Sequence, residues 1–144
     1  MPDSYHPLHT SIVRIRRVDG TIVGAGFLAA PGLVCTCAHV VADAQDIPRE
    51  TLQTPEQETY LDFPFLGGAV ASARAQVWVP IKSSDDSSDI VMLRLETPVP
   101  QRARVARILS TGNLSGRTFE TYGFPRFTDV DQFAYGDKEG RVMP

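Results

Sequence analysis

The chain has 144 residues, of which 42% are apolar and 22% charged, a composition that fits a globular domain and excludes a disordered or fibrous chain. Its net charge of −3 and scattered arginines offer no basic stripe to follow a phosphate backbone, so nucleic acid is not an expected partner. No apolar run approaches the roughly 18 to 20 residues of a membrane span, and the start, Met1-Pro2-Asp3-Ser4-Tyr5-His6, has neither the basic nor the apolar region of a secretory signal; a cytoplasmic protein with no membrane partner is expected.

Helical periodicity is scarce, and short β-branched or alternating runs bounded by Gly and Pro recur along the chain. Ser11 to Arg17 alternates apolar with charged residues and predicts a half-buried strand, closed by a tight turn at Asp19-Gly20. The returning strand, Thr21 to Ala29, holds Gly24 and Gly26, poor strand formers that point to a bulge or a close backbone approach. Pro31-Gly32 turns the chain again into an apolar strand, Leu33 to Thr36, which carries Cys35 and delivers Cys37, Ala38 and His39. Two cysteines two apart in extended chain share a face but resist bridging, which excludes a disulfide framework and suits a reducing compartment.

A helical turn is predicted over Ala38 to Ala44, then a polar surface loop from Gln45 to Glu58. Strands resume at Thr59 to Phe65 and Ala71 to Val79, the second holding Trp78, the sole tryptophan, with core packing as its default role. Lys82 to Ser88 is a turn rich in hydroxyls and carboxylates, and Asp89 to Leu95 is the sixth strand. Six short antiparallel strands imply an all-β fold with a small closed barrel over residues 1–97. Residues 98–116 form a Pro/Arg-rich connector, where Arg102, Arg104 and Arg107 alternate with Ala and Val as on a solvated face. From 117 to 144 strand signals return at Arg117 to Tyr122, then a turn at Gly123-Phe124-Pro125, with further signals at Phe133 to Tyr135 and Gly140 to Met143.

Chemistry concentrates at two strand ends. His39 follows one apolar strand and Asp89 opens another about fifty residues later, a base and an orienting carboxylate of the kind a serine nucleophile requires. His39 alone also fits a core histidine. Asp85 and Asp86 compete with Asp89 for the acid, although their serine-rich surroundings read as a solvated turn. Cys35, Cys37 and His39 form a Cys-x-Cys-x-His run, but no second Cys/His cluster supplies a fourth ligand, so neither metal nor other cofactor is expected. Cys37 lies too close along the chain to His39 to serve readily as its nucleophile, and a small buried residue is expected there. His6 and His9, beside Pro7, read as surface residues.

Four segments in order, Gly24-Ala25-Gly26-Phe27-Leu28, Thr36-Cys37-Ala38-His39, Ser88 to Leu95 and Tyr122-Gly123-Phe124-Pro125, resemble the first half of a trypsin-like (chymotrypsin-fold) serine protease. The resemblance implies a serine endopeptidase acting on a protein or peptide, with His39 as general base and Asp89 as the acid that holds its tautomer. It also implies that residues 117–144 open a second, incomplete barrel. The family's Gly-Asp/Asn-Ser-Gly-Gly setting for the nucleophile is absent, and Ser115-Gly116 lies too early to replace it. The Ser-bearing half is therefore expected as a partner, in the same gene product or as a separate chain, and this chain alone is expected to be inactive. Ile22-Val23-Gly24 imitates a released zymogen terminus but flows into the strand before His39 and reads as barrel core. The Met1 start and absent disulfides are similar to intracellular bacterial members, which implies a fused or associated regulatory module. A non-catalytic trypsin-like module used for binding or scaffolding is the alternative. Phe124, Phe127, Phe133 and Tyr135 lack a core of their own in this half and are expected to pack on another polypeptide.

Overall fold

The computed structural model describes residues 6–84, 87–110, 112–124 and 136–141. A short 3-10 turn at Pro7–Ser11 leads into β1 (Ile12–Arg16), β2 (Ile22–Ala30), β3 (Leu33–Thr36), helix α1 (Ala38–Gln45), β4 (Thr59–Phe63), β5 (Ala69–Val79) and β6 (Ile90–Leu95). These six strands close into a barrel in the order β1-β2-β3-β6-β5-β4, every neighbouring pair antiparallel. Pairing of β1 with β4, Ile15 opposite Leu61, seals the sheet and removes its free edges. The all-β fold and the closed barrel expected from the strand pattern are present.

Alternation along the strands decides what fills the interior. Val13 and Ile15 from β1, Leu61 and Phe63 from β4, and Val91 and Leu93 from β6 are each buried to 1% exposure or less. Burial of such a side chain stabilises the fold by about 1.5 to 3 kcal/mol. α1 adds Ala38, Val40, Val41 and Ala44 to the same core.

Gly24 and Gly26 on β2 mark close approaches, as their sequence setting predicts. A Cβ at Gly26 would stand 2.8 Å from the Cys35 carbonyl oxygen on β3, and one at Gly24 would stand 2.6 Å from Val40 on α1. Both glycines sit where another chain segment already occupies the space of a side chain.

The first strand differs from the expected half-buried pattern, because Arg14 on its other face is also buried. Register places Arg14 directly opposite Asp62 of β4. Asp62 accepts from Arg14 Nε at 2.8 Å and Nη2 at 3.1 Å, and from Arg16 Nε at 2.5 Å. A carboxylate held by two guanidinium groups offsets the desolvation that would otherwise keep Arg14 at the surface.

The chain divides into two compact units, Met1–Ala106 and Arg107–Pro144. Ala103 packs against the barrel core, and Ala106 N–H donates to the Leu28 carbonyl at 2.8 Å. The barrel unit thus continues into the segment read as a connector. The second unit contains an antiparallel pair, β7 (Thr118–Gly123) and β8 (Gly136–Arg141), with Glu120 opposite Glu139. β8 overlaps the expected strand signal at Gly140 to Met143 over its last two residues, Gly140 and Arg141. Asp85, Asp86, Pro125, Phe127, Phe133 and Tyr135 lie outside the described residues. Among the described residues no helix is long and apolar enough to cross a membrane.

Candidate active site

His39 and Asp89 meet because β3 and β6 are antiparallel neighbours. Thr36, the last residue of β3, pairs with Val91, two residues into β6. The end of one strand and the start of the other therefore occupy the same rim of the barrel, fifty residues apart in sequence.

On the β3 side the chain turns directly into α1. Cys37 is its N-cap in extended conformation and makes no side-chain capping bond, leaving early helix N–H groups without an intrahelical partner. Asp89 supplies one acceptor from across the rim: its Oδ1 accepts from the His39 backbone N–H at 2.8 Å. A carboxylate at that helix end also meets the positive pole of the peptide dipoles. The other oxygen, Oδ2, lies 2.6 Å from His39 Nδ1. One carboxylate thus grips both the backbone and the ring of the same residue, which fixes the imidazole's orientation. Their side chains are 31% and 20% exposed, respectively, so the pair stands at the barrel rim, neither buried in the core nor free in solvent.

Asp89 does not open β6 but stands just before it with φ 68°. A left-handed backbone costs a non-glycine residue about 1 to 2 kcal/mol, less for Asp than for branched residues. The turn is held by its neighbours: Ser88 Oγ accepts from Lys82 N–H at 3.1 Å, and Asp89 N–H donates to the Pro80 carbonyl at 3.4 Å. Strain placed beside a two-point carboxylate contact is characteristic of positions where geometry serves a site.

Cys37 corrects an expectation. It is exposed rather than buried, and its Sγ, a ring nitrogen of His39 and a carboxylate oxygen of Asp89 all lie within 4.8 Å of one another. Desolvation raises the Cys37 thiol above the usual range, and the charge of Asp89 and the neighbouring Cys35 add to the effect. The pairing of His39 with Asp89 was expected from the sequence and Cys37 lies two residues from His39, while the approach of Cys37 to Asp89 required the fold.

Other residues singled out in the sequence have structural partners. Trp78 packs against the core and its Nε1–H donates to the Thr51 carbonyl at 2.8 Å, tying β5 to the loop after α1. His6 Nδ1 accepts from Leu8 N–H at 3.1 Å, and His9 stacks on Phe65 with ring centroids 4.3 Å apart. Ser115 lies in the second unit, its N–H donating to Asn113 Oδ1 at 2.8 Å.

Two solved structures share this architecture. A Glu endopeptidase in complex with MPD superposes with a TM-score of 0.64 at 20% identity, covering 100% of this chain and 67% of that one. A thermostable serine protease, AL20, from an extremophilic microorganism superposes with a TM-score of 0.59 at 16% identity, over 91% of this chain and 64% of that one. The likeness is one of fold, and this chain covers 67% and 64% of the lengths of those two chains, respectively. No protein-family model and no curated protein matches the sequence.

Proposed function

We propose that this chain provides the general-base half of a serine endopeptidase, with His39 as base and Asp89 as its orienting acid. The observation that carries the reading is the double contact of Asp89, through Oδ1 to the His39 backbone and through Oδ2 to the His39 ring. With its Nδ1 proton donated to Asp89, the neutral imidazole keeps the lone pair on Nε2. That nitrogen accepts the proton of a serine hydroxyl as it attacks a peptide carbonyl, and returns it to the leaving amine. Asp89 stabilises the imidazolium formed between the two steps. The nucleophile, the oxyanion donors and the pocket that selects the scissile residue come from sequence outside these 144 residues, whether continuous with them or on a second chain. The two free thiols suit a reducing compartment, and we place the protein in the cytoplasm on that basis.

The test is reconstitution with the serine-bearing half followed by labelling with an active-site serine probe and hydrolysis of a peptide library. The 144-residue chain alone is expected to show neither activity, and the complete protein both. His39→Ala is expected to lower kcat/KM by at least about 10³-fold. Retention of activity within a factor of two would remove His39 from the mechanism. A complete, folded protein that binds peptides but hydrolyses none would identify a binding module instead.

A further inference from the structure

Among the described residues the one convergence of three potential metal-binding side chains is Cys37, His39 and Asp89, with mutual ligand-atom distances within 4.8 Å. Their donors are a thiol sulfur, an imidazole nitrogen and a carboxylate oxygen, the mixed set that zinc accepts. We propose that these three residues bind a single thiophilic divalent cation, Zn²⁺ foremost, and that its binding and the work of His39 as a base are mutually exclusive. The binding site stands on the geometry alone; the exclusivity rests on the protease reading above.

Three features favour the site. Cys37 is an exposed residue whose donor group is half-buried like those of His39 and Asp89, so all three donors stand at the rim of the barrel rather than in its core. Its side chain makes no capping bond at the start of α1, because Asp89 already accepts from the His39 N–H; the sulfur is not committed to the helix. The other two donors are anchored on adjoining strand ends, which lowers the ordering cost of capture. Neighbouring ligands of a tetrahedral zinc ion stand about 3.3 to 3.7 Å apart, given bond lengths of about 2.0 to 2.3 Å. The Nδ1 to Oδ2 distance of 2.6 Å has to open by under about 1 Å, and the sulfur, within 4.8 Å of both partners, has to close by at most about 1.5 Å. Side-chain rotation accomplishes both, and a water completes the shell.

The proton balance gives the consequence. The metal takes the sulfur as thiolate, releasing one proton to solvent. It also takes the Nδ1 lone pair, so the single proton of the neutral ring stands on Nε2. Thiolate, carboxylate and dication sum to zero charge. A ring protonated at Nε2 has no lone pair there for a serine proton, and the base is switched off without any movement of the barrel.

Co²⁺ serves as the probe. Titration of the 144-residue chain with Co²⁺ is expected to raise a thiolate-to-cobalt charge-transfer absorption that saturates at one ion per chain, with one proton released per ion. Zn²⁺ is expected to abolish the band by displacement. Cys37→Ser and Cys37→Ala, run in parallel and checked for native Trp78 fluorescence, should remove the band. Cys35→Ser should leave it intact, and His39→Gln should weaken binding by at least about 10 to 100-fold. Absence of a band saturating at one ion, or a band that survives both Cys37 substitutions, overturns the site. In the reconstituted enzyme, hydrolysis without metal tests the protease reading separately. Zn²⁺ should then inhibit, with half-inhibition at least about 10-fold higher in Cys37→Ser; equal inhibition of both proteins overturns the exclusivity.

Discussion

Replacing Gly24 by Ala tests how the helix that carries His39 is seated. The added Cβ would stand 2.6 Å from Val40 Cγ1, 2.8 Å from Cγ2 and 3.3 Å from Val40 Cβ, where carbon atoms in contact sit at about 3.5 to 4.0 Å. An overlap of close to 1 Å falls on a side chain that is only 7% exposed and that, in a helix, strongly prefers one rotamer. Overpacking of this kind costs about 1 to 3 kcal/mol, of which reduced freedom of the unfolded chain returns about 0.4 to 1. A net loss of about 1 to 2 kcal/mol is expected in urea unfolding followed by Trp78 fluorescence. Val40 adjoins His39, so relief of the clash by a shift of α1 would also lengthen the 2.6 Å ring contact to Asp89. The double variant with Val40→Ala should be less destabilised than the sum of the single changes by about 1 kcal/mol, because trimming Val40 vacates the space the new methyl needs. Gly26→Ala offers the contrast: its clash is with the Cys35 carbonyl oxygen at 2.8 Å, a backbone atom that no side-chain trimming moves. Unfolding of Gly24→Ala within about 0.5 kcal/mol of the parent, with no coupling to Val40, would refute the account of how α1 is placed.

Asp62→Asn should destabilise the barrel by about 3 to 5 kcal/mol, because it leaves the buried Arg14 guanidinium without its carboxylate; a loss under about 1 kcal/mol by urea unfolding would show that the pair contributes little. Trp78→Phe keeps the apolar ring but deletes the Nε1 bond to Thr51, at a cost of about 1 kcal/mol, and should speed amide exchange in residues 46–58. Asp89→Asn retains an oxygen for the His39 backbone N–H but presents an N–H donor to Nδ1 in place of the carboxylate acceptor, so nitrogen-15 spectra should show the His39 ring proton moving from Nδ1 toward Nε2; an unchanged ring spectrum would separate Asp89 from control of the tautomer.

The strands were legible in the sequence because their signal is local. Period-two alternation and β-branched runs located β3 at Leu33–Thr36 without error and β2 within one residue, and the turns at Asp19-Gly20 and Pro31-Gly32 follow from backbone chemistry. Six strands of that length also implied closure, since an open sheet would leave edges unpaired. His39 and Asp89 stood out as residue types at strand ends. What only the tertiary structure decided was registration between distant segments. The pairing of Thr36 with Val91 brings the two strand ends to one rim, and nothing local to either strand specifies that offset. The same holds for Arg14, whose charge reads as solvent-facing until Asp62 appears opposite it. Cys37 is the third case: spacing alone placed it near His39, but its exposure and its approach to Asp89 follow from the sharp turn of β3 into α1. Hydrophobic pattern and turn chemistry act over a few residues and can be read from them, whereas buried charge pairs and converging side chains are properties of two segments at once.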